Sequence, residues 1–280
     1  MDRVAAIQMA SGPNVGANLL EAERLIGEAV KQHARLIVLP ENFAIMGKTE
    51  TDKLKVSERD TDGVIQAFLS RQAAMHNVWI VGGTIPINAT SRERVRAACL
   101  LLDANGRQVA RYDKIHLFDV TLDEGRELYS ESQTIEPGDQ VVVTETPLGR
   151  IGIAVCYDLR FPEMFRYMLN EGVEIIVLPA AFTALTGKAH WEVLVRARAI
   201  ENLCYVIASA QGGRHVNGRE TYGDSMIVDP WGKILDRLAR GPGVVVADID
   251  RKRMTELRRS FPAIEHRKYH IQHRQSQNQT

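Results

Sequence analysis

An α/β fold is what this chain predicts, and three observations predict it. Short apolar runs alternate with longer stretches of helical periodicity along most of the 280 residues. Two blocks share a vocabulary, "ARLIVLPENF" at 34–43 and "VEIIVLPAAF" at 173–182, and a strand and a helix precede each. Two similar strand–helix–strand units imply a pseudo-symmetric layered fold. No stretch rich in Gly, Pro or Ser divides the chain, so residues 1–268 are expected to form a single domain, followed by a polar tail at 269–280.

The elements follow in order. Residues 3–9 read as a strand, and Leu19, Ala22, Ile26, Ala29 and Val30 mark one face of a helix. A strand at 35–40 completes the first unit. "VWIVGGTIPI" reads as strand, and "AACLLLDANGRQVARYDK" as a hairpin turning at Asn105-Gly106. The second unit has a strand at 150–155, a helix at 162–171 and a strand at 174–179. Pro162 suits the first helical position, Met164, Phe165, Met168 and Leu169 follow at helical spacing, and Gly172 suits the end. An amphipathic helix from 190 to about 202 comes next, then strands at 204–210, 224–229, 232–237 and 243–248. A short basic helix at 250–259 is ended by Pro262.

Composition narrows the function classes. The chain is 45% hydrophobic and 25% charged, as globular proteins are. Lys+Arg and Asp+Glu both number 35, which argues against a general nucleic-acid binder. The oiliest stretch, "EIIVLPAAFTAL", is broken by Pro179 and falls short of a membrane span, so no membrane association is expected. The start, "MDRVAAIQMA", has an acid at residue 2 and a glutamine inside its apolar run, unlike a secretory signal. Three cysteines, Cys99, Cys156 and Cys204, stand in no metal-like pairing and suggest a reducing, cytoplasmic compartment.

Chemistry concentrates at a few positions. In "GRIGIAVCYDLRFPEM", 149–164, Cys156 ends an apolar strand and leads toward a helix N-terminus, whose partial positive charge can lower a thiol's pKa. Free cysteines are also among the most buried residues, and both readings stand on this stretch alone. Ligands of open α/β sheets collect beyond the carboxyl ends of the strands. Glu41, just after Pro40, and Cys156 therefore belong to one rim, where a carboxylate can take the thiol's proton and return it to a leaving amine. Lys114 in "ARYDKIHLFD" would meet the need for a cation at the developing oxyanion. Taken singly, Glu41 reads more readily as a solvated loop acid and Lys114 as a surface lysine.

Taken together, "LPENF", "YDKIHLFD" and "GIAVCYDLRFPE" resemble, in order and spacing, the Glu–Lys–Cys motifs of the nitrilase superfamily of carbon–nitrogen hydrolases. The likeness runs from about residue 3 to residue 268. It implies a four-layer α-β-β-α sandwich that often dimerises, Cys156 as nucleophile, Glu41 as general base and Lys114 as the stabilising cation. The family's second active-site glutamate is best matched by Glu131 in "YSESQTIEPG". "TGKAHWEVLVRARAIENLCYVIASAQGGRH", "YGDSMIVDPWG" and "LRRSFPAIEHRK" are similar to the Nit branch of amidases. The chain departs from that branch at Lys188, where proline is usual, and at Asp113, where a basic residue commonly precedes the lysine.

The resemblance implies a linear amidase without metal or organic cofactor. Cys156 attacks a small carboxylate-bearing amide, Lys114 and the Tyr157 backbone N–H hold the oxyanion, ammonia leaves, and water hydrolyses the remaining thioester to the acid. Deaminated glutathione is the expected substrate, with 2-oxoglutaramate or 2-oxosuccinamate as the alternative, and a homodimer or larger even-numbered assembly as the working state. A catalytically silent binding protein on the same fold is a further alternative. Arg160 and Lys188 are candidates to hold the substrate carboxylate, with Phe182, Thr183 and Trp191 as pocket walls. Arg196 and Arg198 have the chemistry for the same task. His190 offers a papain-like partner for Cys156, but a structural histidine opening a helix is the better reading, since the Glu–Lys pattern already supplies base and electrophile. His266, His270 and His273 have a metal-like spacing, but a polar tail is the better account of them. Cys99 and Cys204 read as inert core.

Overall fold

The computed structural model describes residues 1–122 and 127–269. Its centre is a pair of face-to-face sheets, one contributed by each strand–helix–strand unit. In sheet one the order is Gly243–Ile249, Asp2–Gln8, Leu36–Val38, Trp79–Val81, Val95–Leu102 and Ile85–Asn88, with Gln108–Asp113 also paired to Val95–Leu102. In sheet two the order is Ile234–Leu238, Ser225–Val228, Tyr205–Ala210, Ile175–Ala180, Gly149–Ile153 and Val142–Thr146. The repeated blocks are the parallel strands Leu36–Val38, beside Asp2–Gln8, and Ile175–Ala180, beside Gly149–Ile153.

Continuous apolar runs follow from burial on both faces. Along Asp2–Gln8, Val4 and Ala6 pack between the sheets with Ile151 and Ile153. The alternate residues Ala5 and Ile7 pack under helices Val15–Lys31 and Val64–His76, against Leu25, Ile26 and Phe68. Helices Pro162–Asn170 and Ala184–Asn202 cover sheet two through Phe165, Met168, Trp191 and Val195. The result is the α-β-β-α sandwich. Asn14 caps the first helix by accepting the Ala17 N–H at 2.9 Å, a contribution of about 1 kcal/mol.

Polar side chains lock the sheets together. Gln8, the glutamine in the apolar first strand, is fully buried. Its amide oxygen accepts from the Ser225 N–H and hydroxyl, both at 2.9 Å, and its amide nitrogen donates to the Gly241 carbonyl at 2.8 Å. Buried polar atoms are tolerated when satisfied in this way, and they fix one relative placement of the layers.

Three sequence expectations need correction. "VWIVGGTIPI" is two strands, broken at Gly82-Gly83, where Gly83 takes φ +55°. The helix expected from 190 begins at Ala184, because the Thr183 hydroxyl accepts the Thr186 N–H and caps it there. Lys188 therefore lies inside a helix rather than in a turn before one. Helix Val64–His76 and the small hairpins Asp119–Leu122/Glu127–Ser130 and Gly212–Arg214/Glu220–Tyr222 were not foreseen. The tail's His270 and His273 lie outside the described residues, and His266 is exposed.

Candidate active site

Parallel strands bring the chemistry to one edge. Glu41 follows Leu36–Val38, Cys156 follows Gly149–Ile153, and Ala181 to Thr183 follow Ile175–Ala180. Gln108–Asp113 runs antiparallel to Val95–Leu102, which is antiparallel to Trp79–Val81. Its end, and hence Lys114, therefore emerges on the same side as Glu41. These carboxyl ends open into one cleft.

The Glu41 turn is clamped from two sides. A Cβ on Gly83 would lie 2.1 Å from the Pro40 carbonyl oxygen, so only glycine permits that approach. From sheet two, the Gln211 amide donates to the Glu41 carbonyl at 3.0 Å and to Ser11 Oγ at 2.8 Å. Cys156 opens a single 3₁₀ turn, Cys156–Arg160, with φ +49°. That left-handed conformation costs a residue with a Cβ roughly 1–2 kcal/mol. The Ala181 N–H donates to its sulfur at 3.5 Å.

Lys114 is the hub. Its fully buried Nζ donates to Glu41 Oε1 at 2.8 Å and to Glu131 Oε1 and Oε2 at 2.9 and 2.8 Å. Burial alone would push the ammonium's pKa down, but the carboxylates of Glu131 and Glu41 outweigh it and hold the pKa well above its ordinary value. Glu131 is penalised by burial too, yet Lys114, Lys53 and the Phe118 N–H at 2.7 Å keep its pKa below the usual carboxylate range. Cys156 goes the other way. Burial and then the Glu41 carboxylate push its thiol well up, only partly offset by Lys114 and the Ala181 N–H. The α-helix starts only at Pro162, beyond the 3₁₀ turn that carries Cys156, and burial beside Glu41 favours the thiol over the thiolate.

A buried acid missed in the sequence ties these elements together. Asp158 accepts from Tyr112 Oη at 2.6 Å, the Val155 N–H at 2.8 Å, the His116 N–H at 3.2 Å and His116 Nδ1 at 2.7 Å. It joins the strand carrying Lys114 to the turn carrying Cys156. Its position in "CYDLR", two residues after Cys156, was the available signal, but an acid in a turn reads as solvated.

Of the residues proposed for substrate, Tyr157, Arg160, Phe182 and Thr183 line the cleft. Lys188 does not: it is exposed on the helix surface. Trp191 is buried core, its indole N–H donating to the Asp224 carbonyl at 2.7 Å. Arg198 is spent on the Leu159 carbonyl and Glu201, and Arg196 on the Gly232 carbonyl and Glu192. His190 is exposed and meets Arg160 Nη1 at 3.1 Å rather than Cys156. Cys99 and Cys204 are buried within the core, where burial raises both thiols, Cys204 to about 12. The cleft also contains Phe118, Tyr129 and Arg219, which sequence reasoning did not single out.

A buried Cys–Glu–Lys–Glu cluster at a strand edge is the equipment of nucleophilic acyl transfer, with the acid/base and cation already in contact. The carbon–nitrogen hydrolase family model matches residues 3–259, and the chain belongs to that family, the hydrolases of carbon–nitrogen bonds. It is 44% identical over 266 residues to the deaminated glutathione amidase of Synechocystis sp., covering 94% of this chain and 97% of that protein. Among solved structures, Saccharomyces cerevisiae Nit3, a member of branch 10 of the nitrilase superfamily, superposes with a TM-score of 0.86 at 29% identity, over 96% of this chain and 97% of that one. The Caenorhabditis elegans NitFhit protein gives a TM-score of 0.89 at 34% identity, over 95% of this chain; the chain spans 65% of that longer protein.

Proposed function

We propose that this chain is an amidase that cleaves small carboxylate-bearing amides of the deaminated glutathione type through a thioester on Cys156. The observation that carries the reading is the Lys114 ammonium held by Glu41 and Glu131 beside the Cys156 sulfur in one cleft. The sulfur starts as a thiol, so attack on the amide carbonyl and transfer of the S–H proton to Glu41 go together. Charge moves onto the carbonyl oxygen, where Lys114 and the Tyr157 N–H stabilise it. Glu41 then returns the proton to the departing nitrogen, and the C–N bond breaks. The amine leaves as cysteinylglycine from deaminated glutathione, or as ammonia from a primary amide. Water enters, Glu41 takes its proton, and the thioester collapses to the free acid and the thiol. Glu131 stays anionic and anchors Lys114 through both carboxylate oxygens, so the ammonium keeps its place when Glu41 becomes neutral.

Arg160 supplies the charge for one substrate carboxylate: it sits on the nucleophile's own turn and has no carboxylate partner among the described residues. Losing such a contact should reduce specificity about ten- to a hundredfold. Steady-state rates on deaminated glutathione and 2-oxoglutaramate test the reading. The first is expected to have the higher kcat/KM, and Cys156→Ala to release no acid from either. Absence of acid release by the unmodified enzyme from both would rule the reading out.

The working state in this reading is a homodimer, supported by an apolar strip on the outer face of helix Ala184–Asn202. Three unpaired cysteines suit a reducing compartment such as the cytoplasm. No helix among the described residues is long and apolar enough to cross a membrane.

A further inference from the structure

Two arginines face this cleft without carboxylate partners among the described residues. Arg160 lies over the rings of Tyr157 and Phe182, its guanidinium carbon 5.7 and 5.2 Å from their centroids. Arg219 comes from a different element, the hairpin Gly212–Arg214/Glu220–Tyr222, and lies 5.2 Å over the Tyr129 ring. Between them runs an aromatic row, Tyr157 to Phe118 to Tyr129, in two steps of 5.1 Å. The third cleft cation outside the Lys114 cluster, Lys53, is already paired with Glu50 at 2.7 Å.

Arg219 is underused as a structural residue. One terminal nitrogen donates to the Ala181 carbonyl, the residue whose N–H meets the Cys156 sulfur. Its Nε, by contrast, is buried with no acceptor. Four buried side-chain atoms among the described residues lack any hydrogen-bond partner, and Arg219 Nε is the one that belongs to the cleft wall. Leaving a charged donor unsatisfied costs more than the 1–3 kcal/mol of a neutral one, so an anion arriving with the ligand would be bound strongly. Arg198 shows the contrast, since Leu159 and Glu201 occupy its guanidinium.

We propose that Arg160 and Arg219 hold the two carboxylates of one dianionic substrate, one on each side of the scissile amide. The assignment rests on the amidase reading and narrows it. Deaminated glutathione has this charge pattern, with one carboxylate on the 2-oxo acyl portion and one on the glycine of the leaving dipeptide. A primary 2-oxo acid amide has only the first. Arg219 is thereby a specificity residue that separates the two substrate types, and the planar guanidinium suits the two-oxygen geometry of each anion.

Binding, read separately from turnover, tests this. Cys156→Ala protein is titrated calorimetrically with deaminated glutathione and with its two monomethyl esters, alone and with Arg160→Gln or Arg219→Gln added. Each ester should bind about ten- to a hundredfold more weakly than the diacid. One arginine variant should become indifferent to the 2-oxo acid ester and the other to the glycine ester. The ester arms need no arginine variant, so they decide the matter even if Arg219→Gln fails to fold. Equal binding of the diacid and either ester would overturn the proposal, as would both variants becoming indifferent to the same ester. If this pattern holds while the unmodified enzyme leaves the diacid intact, the amidase reading falls and the paired anion site stands. If the diacid is hydrolysed but neither ester binds more weakly, the reverse follows.

Discussion

The Cys156 thiol sits between two charges of opposite sign, and each sets its readiness in a different direction. Glu41 raises the thiol's pKa and Lys114 lowers it. Removing the negative neighbour therefore makes the thiolate easier to form. Glu41→Gln should shift the midpoint of the pH profile for Cys156 alkylation downward, while Lys114→Met should shift it upward. Turnover should nevertheless fall by about 10²–10⁴ in Glu41→Gln, because the proton shuttle is gone. A lower midpoint with lower activity separates the base from the thiolate; an unchanged midpoint would mean Glu41 does not act on this sulfur. The motifs around Glu41, Lys114 and Cys156 were legible because each is short and contiguous. Arg219 was not, since its meaning depends on an unsatisfied nitrogen and a ring from a hairpin far away in sequence.

At the scale of elements, the site depends on how strand Gln108–Asp113 and the turn Cys156–Arg160 are held in register. Asp158 does this with four bonds from Tyr112, Val155 and His116. Asp158→Ala would strand the buried donors of Tyr112 and Val155, each worth roughly 1–3 kcal/mol, so denaturant unfolding should show a loss of at least about 2 kcal/mol. A loss under 1 kcal/mol would show that water replaces the carboxylate and that the tie is dispensable. The strand–helix–strand units were readable because buried parallel strands are continuously apolar. The start of helix Ala184–Asn202 was not, because Gly187 lies within its first turn and glycine is a poor helix former. Its actual reason is packing: a Cβ there would lie 2.3 Å from Tyr222. Misplacing that start put Lys188 in the pocket on paper, while the helix carries it to the surface.

For the whole molecule, helix Pro162–Asn170 does not offer an apolar face to a partner, since Met164, Phe165, Met168 and Leu169 are spent inside. The outer face of helix Ala184–Asn202 does. Leu185, Val193 and Ile200 are 52%, 68% and 47% exposed, and Ile200 adjoins Gly232, next to the exposed Trp231–Phe261 ring pair. These exposed apolar side chains suit a symmetric interface between two copies. Light scattering at micromolar concentration should give a dimer or an even multiple, and Val193→Glu should shift it toward monomer. A monomer in the unmodified protein would remove the interface.

The sandwich matters to function because it brings Glu41 and Lys114 from sheet one against Cys156 from sheet two, and the claim that this meeting makes a thioester can be measured directly. Enzyme quenched with acid during turnover of deaminated glutathione is digested and analysed by mass spectrometry. The account predicts the 2-oxoglutaryl group on the peptide containing Cys156 and on neither Cys99 nor Cys204, with no adduct in Cys156→Ala. Sustained hydrolysis by Cys156→Ala, or an acyl group carried by another residue, would contradict it.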